Sequence, residues 1–181
     1  MEQTRAWLDG LRSGETAAFD AVYAAYRPRI FGFLVRMTER RDVAEELLQE
    51  CFLRLARHAP RLREDTDLDA WLFTVARNLA RSWRRWAWLD GARLAALAGA
   101  LVGKSTIPDP YSHATANESA RRLEIALASL PPLHREALLL VAVDGLEPTQ
   151  AAAAVGVKPE ALRQRLARAR STLAESLGDS P

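Results

Sequence analysis

The chain has 181 residues, of which 49% are hydrophobic and 27% charged. This length suits one or two small globular domains, and this composition excludes a largely disordered chain. No apolar run reaches the roughly 20 residues that cross a bilayer, and no basic start followed by an apolar stretch marks a signal peptide. Cys51 is the single cysteine, and His58, His113 and His134 are too scattered to suggest a metal site. We therefore expect a cytoplasmic protein that has no disulfide and needs no cofactor.

Charged side chains are unevenly distributed along the chain, although the net charge is only +2. Residues 42–50 contain four carboxylates and no basic group, whereas residues 71–93 and residues 158–172 each carry a net charge of +4. Clustered bases are typical of nucleic-acid-binding proteins. The distribution of charge, more than its total, therefore carries the functional signal.

The hydrophobic pattern predicts an all-α protein, because apolar residues recur at three- and four-residue spacing and no alternating strand pattern occurs. A first helix is predicted from near Glu15 to about Met37, with Pro28 as a kink or boundary. Further helices are predicted over residues 42–58, 68–88, 117–130, 132–143, 149–155 and 159–177. Residues 89–117 contain three glycines and two prolines, which predict a linker with one short helical stretch at 92–102. The fold expected is two small helical domains joined by a flexible linker.

The helix predicted over residues 42–58 has two different sides. Its buried stripe is predicted to be Ala44, Leu48, Cys51 and Leu55, so Cys51 is expected to be a small core residue. The opposite side, here called the acidic face, carries Asp42, Glu46, Gln49, Glu50 and Leu53. An apolar centre with a polar rim is typical of a protein-docking patch. A solvated helix face with one exposed leucine fits these residues equally well.

The helix predicted over residues 68–88 combines an apolar stripe with a basic side. The stripe, which is predicted to face the core, contains Leu72, Ala76, Leu79, Trp83 and Trp86. The other side, here called the first basic face, carries Arg77, Asn78, Arg81, Arg84 and Arg85. No acidic residue lies three or four positions away, so the usual ion pairs of a solvated helix cannot form. This face suits a phosphate backbone or single-stranded bases.

Residues 149–177 predict a helix-turn-helix, in which Gly156 lies in the turn and Pro159 begins the longer, basic helix. The predicted core stripe of that helix is Leu162, Leu166, Ala169 and Leu173. Its second basic face carries Lys158, Arg163, Gln164, Arg165 and Arg168. Gln and Arg pair with base edges and phosphates. We therefore favour DNA recognition in the major groove over an ordinary solvated helix.

Three segments together resemble the extracytoplasmic-function (group IV) RNA polymerase sigma factors of the sigma-70 family. They are DVAEELLQECFLRLAR, DAWLFTVARNLARSWRR and AAAAVGVKPEALRQRLARAR. In that order, they are similar to the family's polymerase-docking helix, its −10 element helix and its −35 helix-turn-helix. The resemblance implies sigma region 2 in residues 1–88, a linker in residues 89–117 and sigma region 4 in residues 118–181.

The resemblance also implies a role for each face. The acidic face would dock on the clamp coiled coil of the largest polymerase subunit. The first basic face would engage the −10 element where the strands separate, and the second would read the −35 element. The loop from Arg61 to Asp67 would capture a flipped base, although Glu64, Asp65, Asp67 and the neighbouring Asp69 make it acidic for a DNA contact. The implied partners are core RNA polymerase and promoter DNA, and an anti-sigma factor remains open.

Two other functions compete with this interpretation. A stand-alone helix-turn-helix repressor or activator would explain residues 118–178, but it would leave the acidic face and the first basic face without a purpose. A sigma mimic that only sequesters an anti-sigma factor would need neither basic face. An enzyme is not expected, because the sequence contains no nucleophile–base motif, phosphate-binding glycine loop or metal cluster.

Overall fold

The computed structural model describes residues 2–98 and residues 118–178. Eight α-helices occupy most of these ranges: α1 (Glu2–Arg12), α2 (Thr16–Thr38), α3 (Arg41–His58), α4 (Leu68–Ala98), α5 (Glu118–Ser129), α6 (Pro132–Leu138), α7 (Pro148–Val155) and α8 (Pro159–Gly178). A 3₁₀ turn at Ala59–Arg61 follows α3, and a π-helical segment at Leu139–Val143 continues α6. The described ranges contain no strand, and the all-α prediction is confirmed.

The N-terminal unit is formed by α1 to α4. Helix α2 packs against α1, α3 and α4, and α3 also packs against α4. The rings of Phe33 and Phe73 meet edge to face in its centre, with their centroids 5.6 Å apart. Cys51 is completely buried, and burial raises the pKa of its thiol to about 12. Its predicted role as a core residue is therefore confirmed.

The C-terminal unit is formed by α5 to α8 and contains the predicted helix-turn-helix. Helix α8 packs against α5, α6 and α7, and it buries Leu162, Leu166 and Ala169. Gly156 ends α7 with φ at 68°, a left-handed conformation that glycine adopts without steric cost. The turn is closed by the Val157 N–H, which donates to the Ala152 carbonyl at 3.0 Å.

Three features of the helices differ from the sequence prediction. Helix α1 is absent from the prediction, because its short pattern buries only two large apolar side chains, Leu8 and Leu11. Helix α2 runs through Pro28 without a break. Pro28 and Ala24 are both exposed, so water can reach the carbonyl that the proline leaves unpaired.

The third difference concerns α4, which continues to Ala98 instead of ending at residue 88. Between Leu68 and Leu89, the last buried residue is Ala80, and residues 81–89 are exposed or half-buried. Trp86 is 57% exposed, so its predicted burial is wrong. The apolar stripe of α4 continues past the part of the helix that other helices cover, so Trp86 is left exposed. The rest of the predicted linker, residues 99–117, lies outside the described residues, as does the end of the helical stretch expected at 92–102.

The two units are in direct contact, which the prediction of two domains on a flexible linker does not include. Helix α4 packs against α7, and α2 packs against α6. Most of the buried apolar residues of both units form one connected cluster. Among the helices in residues 2–98 and 118–178, none has an apolar stretch long enough to cross a membrane.

Candidate docking and nucleic-acid interfaces

The acidic face lies on the exposed side of α3, opposite the buried stripe of Ala44, Leu48, Cys51 and Leu55. Asp42, Glu46 and Gln49 are exposed, Glu50 is half-buried, and Leu53 is 50% exposed. Residues 42, 46, 49 and 53 follow a 4-3-4 spacing, so they form one row along the helix. This row presents an apolar side chain beside several acidic and amide groups.

Local arginines hold two carboxylates of the acidic face in place. Arg40 pairs with Asp42, and Arg54 Nε donates to Glu50 Oε1 at 2.7 Å. These hydrogen bonds lower the pKa of both carboxyl groups. Glu46 forms no ion pair within the described part of the chain. Its charge is therefore the most available on this face.

Tyr23 of α2 is a further exposed aromatic residue next to α3, and the helical pattern offers no reason to single it out. Its side chain is 38% exposed, and its ring centroid lies 4.7 Å from that of Phe52. Phe52 precedes Leu53 in α3 and is buried. An aromatic ring and an aliphatic side chain on neighbouring helices form the kind of apolar centre that protein interfaces use.

The first basic face is divided by the packing of the two units. Asn78, Arg81 and Arg85 are exposed, and Arg84 is half-buried. Arg77 is buried, and its guanidinium forms an ion pair with Glu136 of α6. Arg77 Nη1 also donates to Asn78 Oδ1 at 3.3 Å.

Glu136 lies among arginines from both basic faces. Its side chain is 1% exposed, and burial raises the pKa of its carboxyl group. Arg77, Arg81 and Arg165 act in the opposite direction by favouring the ionised form. The nearby Arg84 is affected as well, because burial and the charge of Arg135 lower the pKa of its guanidinium.

The second basic face is largely open. Lys158, Arg163, Gln164 and Arg168 are exposed on α8 and the turn before it, and Arg165 is half-buried. Arg163 pairs with Glu160 one turn earlier in the helix. The remaining side chains can form base-edge and phosphate contacts without a rearrangement of α8.

The acidic loop before α4 makes its contacts within the protein. Asp67 Oδ1 accepts the backbone N–H of Ala70 at 3.0 Å, which caps the start of α4. Asp69 Oδ1 accepts a hydrogen bond from Arg29 Nη1 at 2.7 Å, and Asp69 Oδ2 accepts one from the Tyr26 hydroxyl at 3.1 Å. Burial and the Asp69 carboxylate raise the pKa of Tyr26. These carboxylates therefore stabilise the N-terminal unit.

Several further polar contacts join the two units. Arg36 Nη2 of α2 donates to Glu124 Oε1 of α5 at 2.7 Å. Arg135 is buried and donates to Glu39 Oε1 at 2.5 Å. Glu39 ends α2 in a left-handed conformation with φ at 58°, and its backbone N–H donates to the Val35 carbonyl at 2.8 Å.

The π-helical segment places Asp144 against α2. The Asp144 N–H donates to the Leu139 carbonyl at 2.8 Å, and the Asp144 carbonyl accepts Arg29 Nη2 at 2.7 Å. Its carboxylate Oδ2 is buried without a protein hydrogen-bond partner. Burial raises the pKa of Asp144 to about 7, although Arg29 and Arg36 partly oppose the shift.

Asp144→Asn is expected to stabilise the protein at pH 8 by about 1–3 kcal/mol. The folded chain retains the Asp144 proton above the pKa of an unfolded aspartate, which is about 3.9. Stability therefore falls as pH rises between about 4 and 7, and the variant removes this loss. Urea unfolding at pH 5 and pH 8 measures the change in the free energy of unfolding. Asp20→Asn is the control at an exposed position. Equal pH dependence in Asp144→Asn and the parent chain would contradict the assignment.

No group of three or more His, Cys, Asp or Glu residues in the described ranges could hold a metal ion. The acidic face and the two basic faces are suited to binding other macromolecules. They can form ion pairs and hydrogen bonds to base edges and phosphates, and they can bury exposed apolar side chains.

The sequence has extensive similarity to known families and proteins. Residues 22–89 match the family Sigma-70 region 2, and residues 120–173 match Sigma-70, region 4. RNA polymerase sigma factor CarQ of Myxococcus xanthus is 35% identical over 95% of this chain and 96% of its own length. ECF RNA polymerase sigma factor EcfG of Rhodopseudomonas palustris is 33% identical over 87% of this chain and 83% of its own.

Two solved structures share the fold. CnrH, in complex with the cytosolic domain of CnrY, aligns over 98% of this chain and 99% of its own with a TM-score of 0.71 and 23% identity. The sigma factor RpoE of Bartonella quintana, in complex with the anti-sigma factor NepR, aligns over 90% of this chain and 98% of its own. Its TM-score is 0.74, with 24% identity.

Proposed function

Since the chain belongs to the extracytoplasmic-function sigma factors of the sigma-70 family, we propose that its three faces divide the steps of transcription initiation between them. A member of this family binds core RNA polymerase and directs promoter-specific initiation. It is an initiation factor and not an enzyme, and its partners are core polymerase and promoter DNA.

The acidic face is the polymerase-docking surface in this proposal. The observation that supports it is the row of exposed acidic and amide groups around Leu53, on a side of α3 that the fold does not use. Charge complementarity with basic residues on the polymerase clamp would guide docking, and Leu53 with Tyr23 would supply apolar contact area.

The two basic faces are the promoter-reading surfaces. The first basic face, on α4, engages the −10 element, and the second, on the helix-turn-helix, reads the −35 element. Exposed Gln164 and Arg168 fit base-edge contacts, and the exposed bases around them fit phosphates. Residues 1–88 and 118–181 are the corresponding sigma regions, and residues 89–117 connect them. Trp88, 72% exposed on the same side of α4 as Arg84 and Arg85, enlarges the first basic face.

Regulation and location follow from the same assignment. The chain acts in the cytoplasm, where core polymerase is found, and an anti-sigma factor is its expected inhibitor. Both RpoE and CnrH were solved with bound partner proteins, and NepR is an anti-sigma factor.

Run-off transcription with core polymerase on a promoter library tests the function. The chain should produce transcripts that core polymerase alone does not, and their upstream sequences should share two spaced elements. The isolated chain should bind the same DNA weakly, because its two small basic faces need polymerase to fix their spacing. Nanomolar, promoter-selective binding by the isolated chain at physiological salt, without polymerase-dependent transcripts, would favour a stand-alone repressor.

A further inference from the structure

Helix α4 carries two exposed tryptophans beyond the part that other helices cover. Trp86 is 57% exposed and Trp88 is 72% exposed, whereas Trp7, Trp71 and Trp83 are half-buried. An indole ring is a large apolar surface, and its burial against a partner is strongly favourable. Each of the two exposed rings therefore offers another molecule a large contact area.

The two tryptophans lie on different sides of α4. One row along the helix, with a 3-4-3 spacing, consists of four exposed side chains: Asn78, Arg81, Arg85 and Trp88. Trp86 instead continues the apolar stripe of Leu79 and Trp83. Each residue of an α-helix is rotated by about 100° from the one before, so about 160° separates Trp86 from Trp88 around the helix axis. Of the two rings, only Trp88 extends the first basic face.

The charge around Trp88 indicates a nucleic acid as its partner. Residues 70–89 contain four arginines and no Asp or Glu. Such a surface complements the negative charge of DNA and repels a basic partner. Trp88 also ends a row that begins with Asn78 and Arg81, which the proposed function assigns to promoter DNA. The ring and the arginines beside it therefore fit one continuous DNA-binding surface.

The place of Trp88 along α4 indicates which part of the promoter it meets. Trp88 lies ten residues beyond Asn78. That separation is about 15 Å along the helix axis, or the length of about four base pairs. The chain continues from this end of α4 to the helix-turn-helix, so this end lies toward the −35 element. Strand separation occurs at the −10 element in the proposed function, and Trp88 therefore meets double-stranded DNA beside it.

The major groove of double-stranded DNA offers the indole ring a specific partner. This groove is wide enough to admit an α-helix, and the only methyl group on its base edges is the C5-methyl of thymine. The other groups that the bases present there are hydrogen-bond donors and acceptors. Tryptophan has a single N–H donor, and the rest of its ring is apolar. Contact between the ring and the methyl group removes apolar surface of both from water.

We propose that Trp88 reads a thymine methyl group in the major groove, beside the −10 element and on the side that faces the −35 element. The proposal rests on the assignment of the first basic face to the −10 element. It adds to the promoter a third sequence-specific contact, between the two elements that α4 and the helix-turn-helix read.

The promoter library tests the sequence preference, with Trp86→Ala as the matched control for Trp88→Ala. Both substitutions remove an exposed ring from the same helix, so both variants should melt like the parent chain. Promoters transcribed by the parent chain and by Trp86→Ala should be enriched in thymine at one position beside the −10 element. Trp88→Ala should lose this enrichment and keep the two main elements. The same preference at that position in the parent chain and in Trp88→Ala would overturn the proposal.

Deoxyuridine tests the methyl group itself, because it pairs like thymidine and lacks only that group. On one recovered promoter, the thymine beside the −10 element is replaced by deoxyuridine, and binding by the polymerase holoenzyme is titrated. The parent chain and Trp86→Ala should bind the modified promoter about fourfold more weakly, the effect of one buried methyl group. Trp88→Ala should bind both promoters equally. An equal loss in the parent chain and in Trp88→Ala would overturn the contact.

Two other partners for Trp88 predict different results. If the ring stacked on an unpaired base, Trp88→Ala should weaken binding to a pre-melted promoter, and deoxyuridine should have no effect on the parent chain. If the ring contacted a protein, Trp88→Ala should weaken binding to core polymerase in the absence of DNA. Either result would overturn the proposal.

The proposed function and the role of Trp88 fail in different ways. Absence of polymerase-dependent transcripts from the parent chain would overturn the proposed function. Full transcription by Asn78→Ala/Arg81→Ala would overturn the −10 assignment on which the role of Trp88 rests. Impaired transcription by that double variant, with no thymine preference in the parent chain, would overturn the role of Trp88 alone.

Discussion

Leu53→Asp and Glu46→Arg are expected to abolish core-polymerase binding while the chain stays folded. Leu53→Asp places a charge at the apolar centre of the acidic face, and Glu46→Arg reverses its most available charge. Changes at desolvated interface centres often cost about 2–4 kcal/mol, or roughly thirtyfold to a thousandfold in affinity. Both side chains are exposed, so their substitution should change the free energy of unfolding by only about 0.5 kcal/mol.

The measurement is a binding titration against core polymerase beside a thermal melt of each variant. Glu175→Arg is the matched control for Glu46→Arg, since it makes the same charge change at an exposed position of α8. The control should bind and melt like the parent chain. Transcription should be lost on every promoter in the two acidic-face variants, because docking precedes promoter recognition. Parent-like polymerase affinity in both variants would refute the docking assignment and favour a repressor or a sigma mimic.

Substitutions in the two basic faces are expected to fail at different steps of initiation. Gln164→Ala or Arg168→Ala should reduce occupancy of promoters that depend on the −35 element, at about 1–3 kcal/mol for each lost base-edge contact. Asn78→Ala or Arg81→Ala should instead impair strand opening, because the first basic face acts where the strands separate.

A pre-melted promoter distinguishes the two effects. It should partly restore transcription by Asn78→Ala and Arg81→Ala and should not restore transcription by Gln164→Ala. Promoter occupancy by the holoenzyme and the rate of open-complex formation are measured on the same templates. An equal response of both sets to pre-melting would contradict the division of work between α4 and α8.

Helical periodicity was sufficient to predict most of the fold and the sides of its helices. The burial of Leu48, Cys51 and Leu55 and the exposure of Leu53 follow from their spacing alone, because neighbouring helices cover all of α3 on one side. The same reasoning failed for Trp86, where the apolar stripe continues beyond the packed part of α4. Periodicity shows which side of a helix is apolar, but it does not show where its neighbours end.

The burial of Arg77 and Glu136 could not be predicted in the same way. Both are charged, and charged residues are rarely fully buried, so residue type alone predicts exposure for both. Their burial results from a contact between the two units. The two residues are 59 positions apart in the sequence. Neither residue type nor spacing identifies the partner of Arg77, and only the packing of α4 against the C-terminal unit reveals the pair.

Site-specific photo-cross-linking in the polymerase–promoter complex tests the central claim most directly. Benzoylphenylalanine in place of Arg81 or Gln164 would report which DNA each basic face contacts when both are bound at once. We expect position 81 to cross-link to the −10 element and position 164 to the −35 element of the same promoter, in each case only with core polymerase present. Cross-links from both positions to one element, or no dependence on polymerase, would contradict the account.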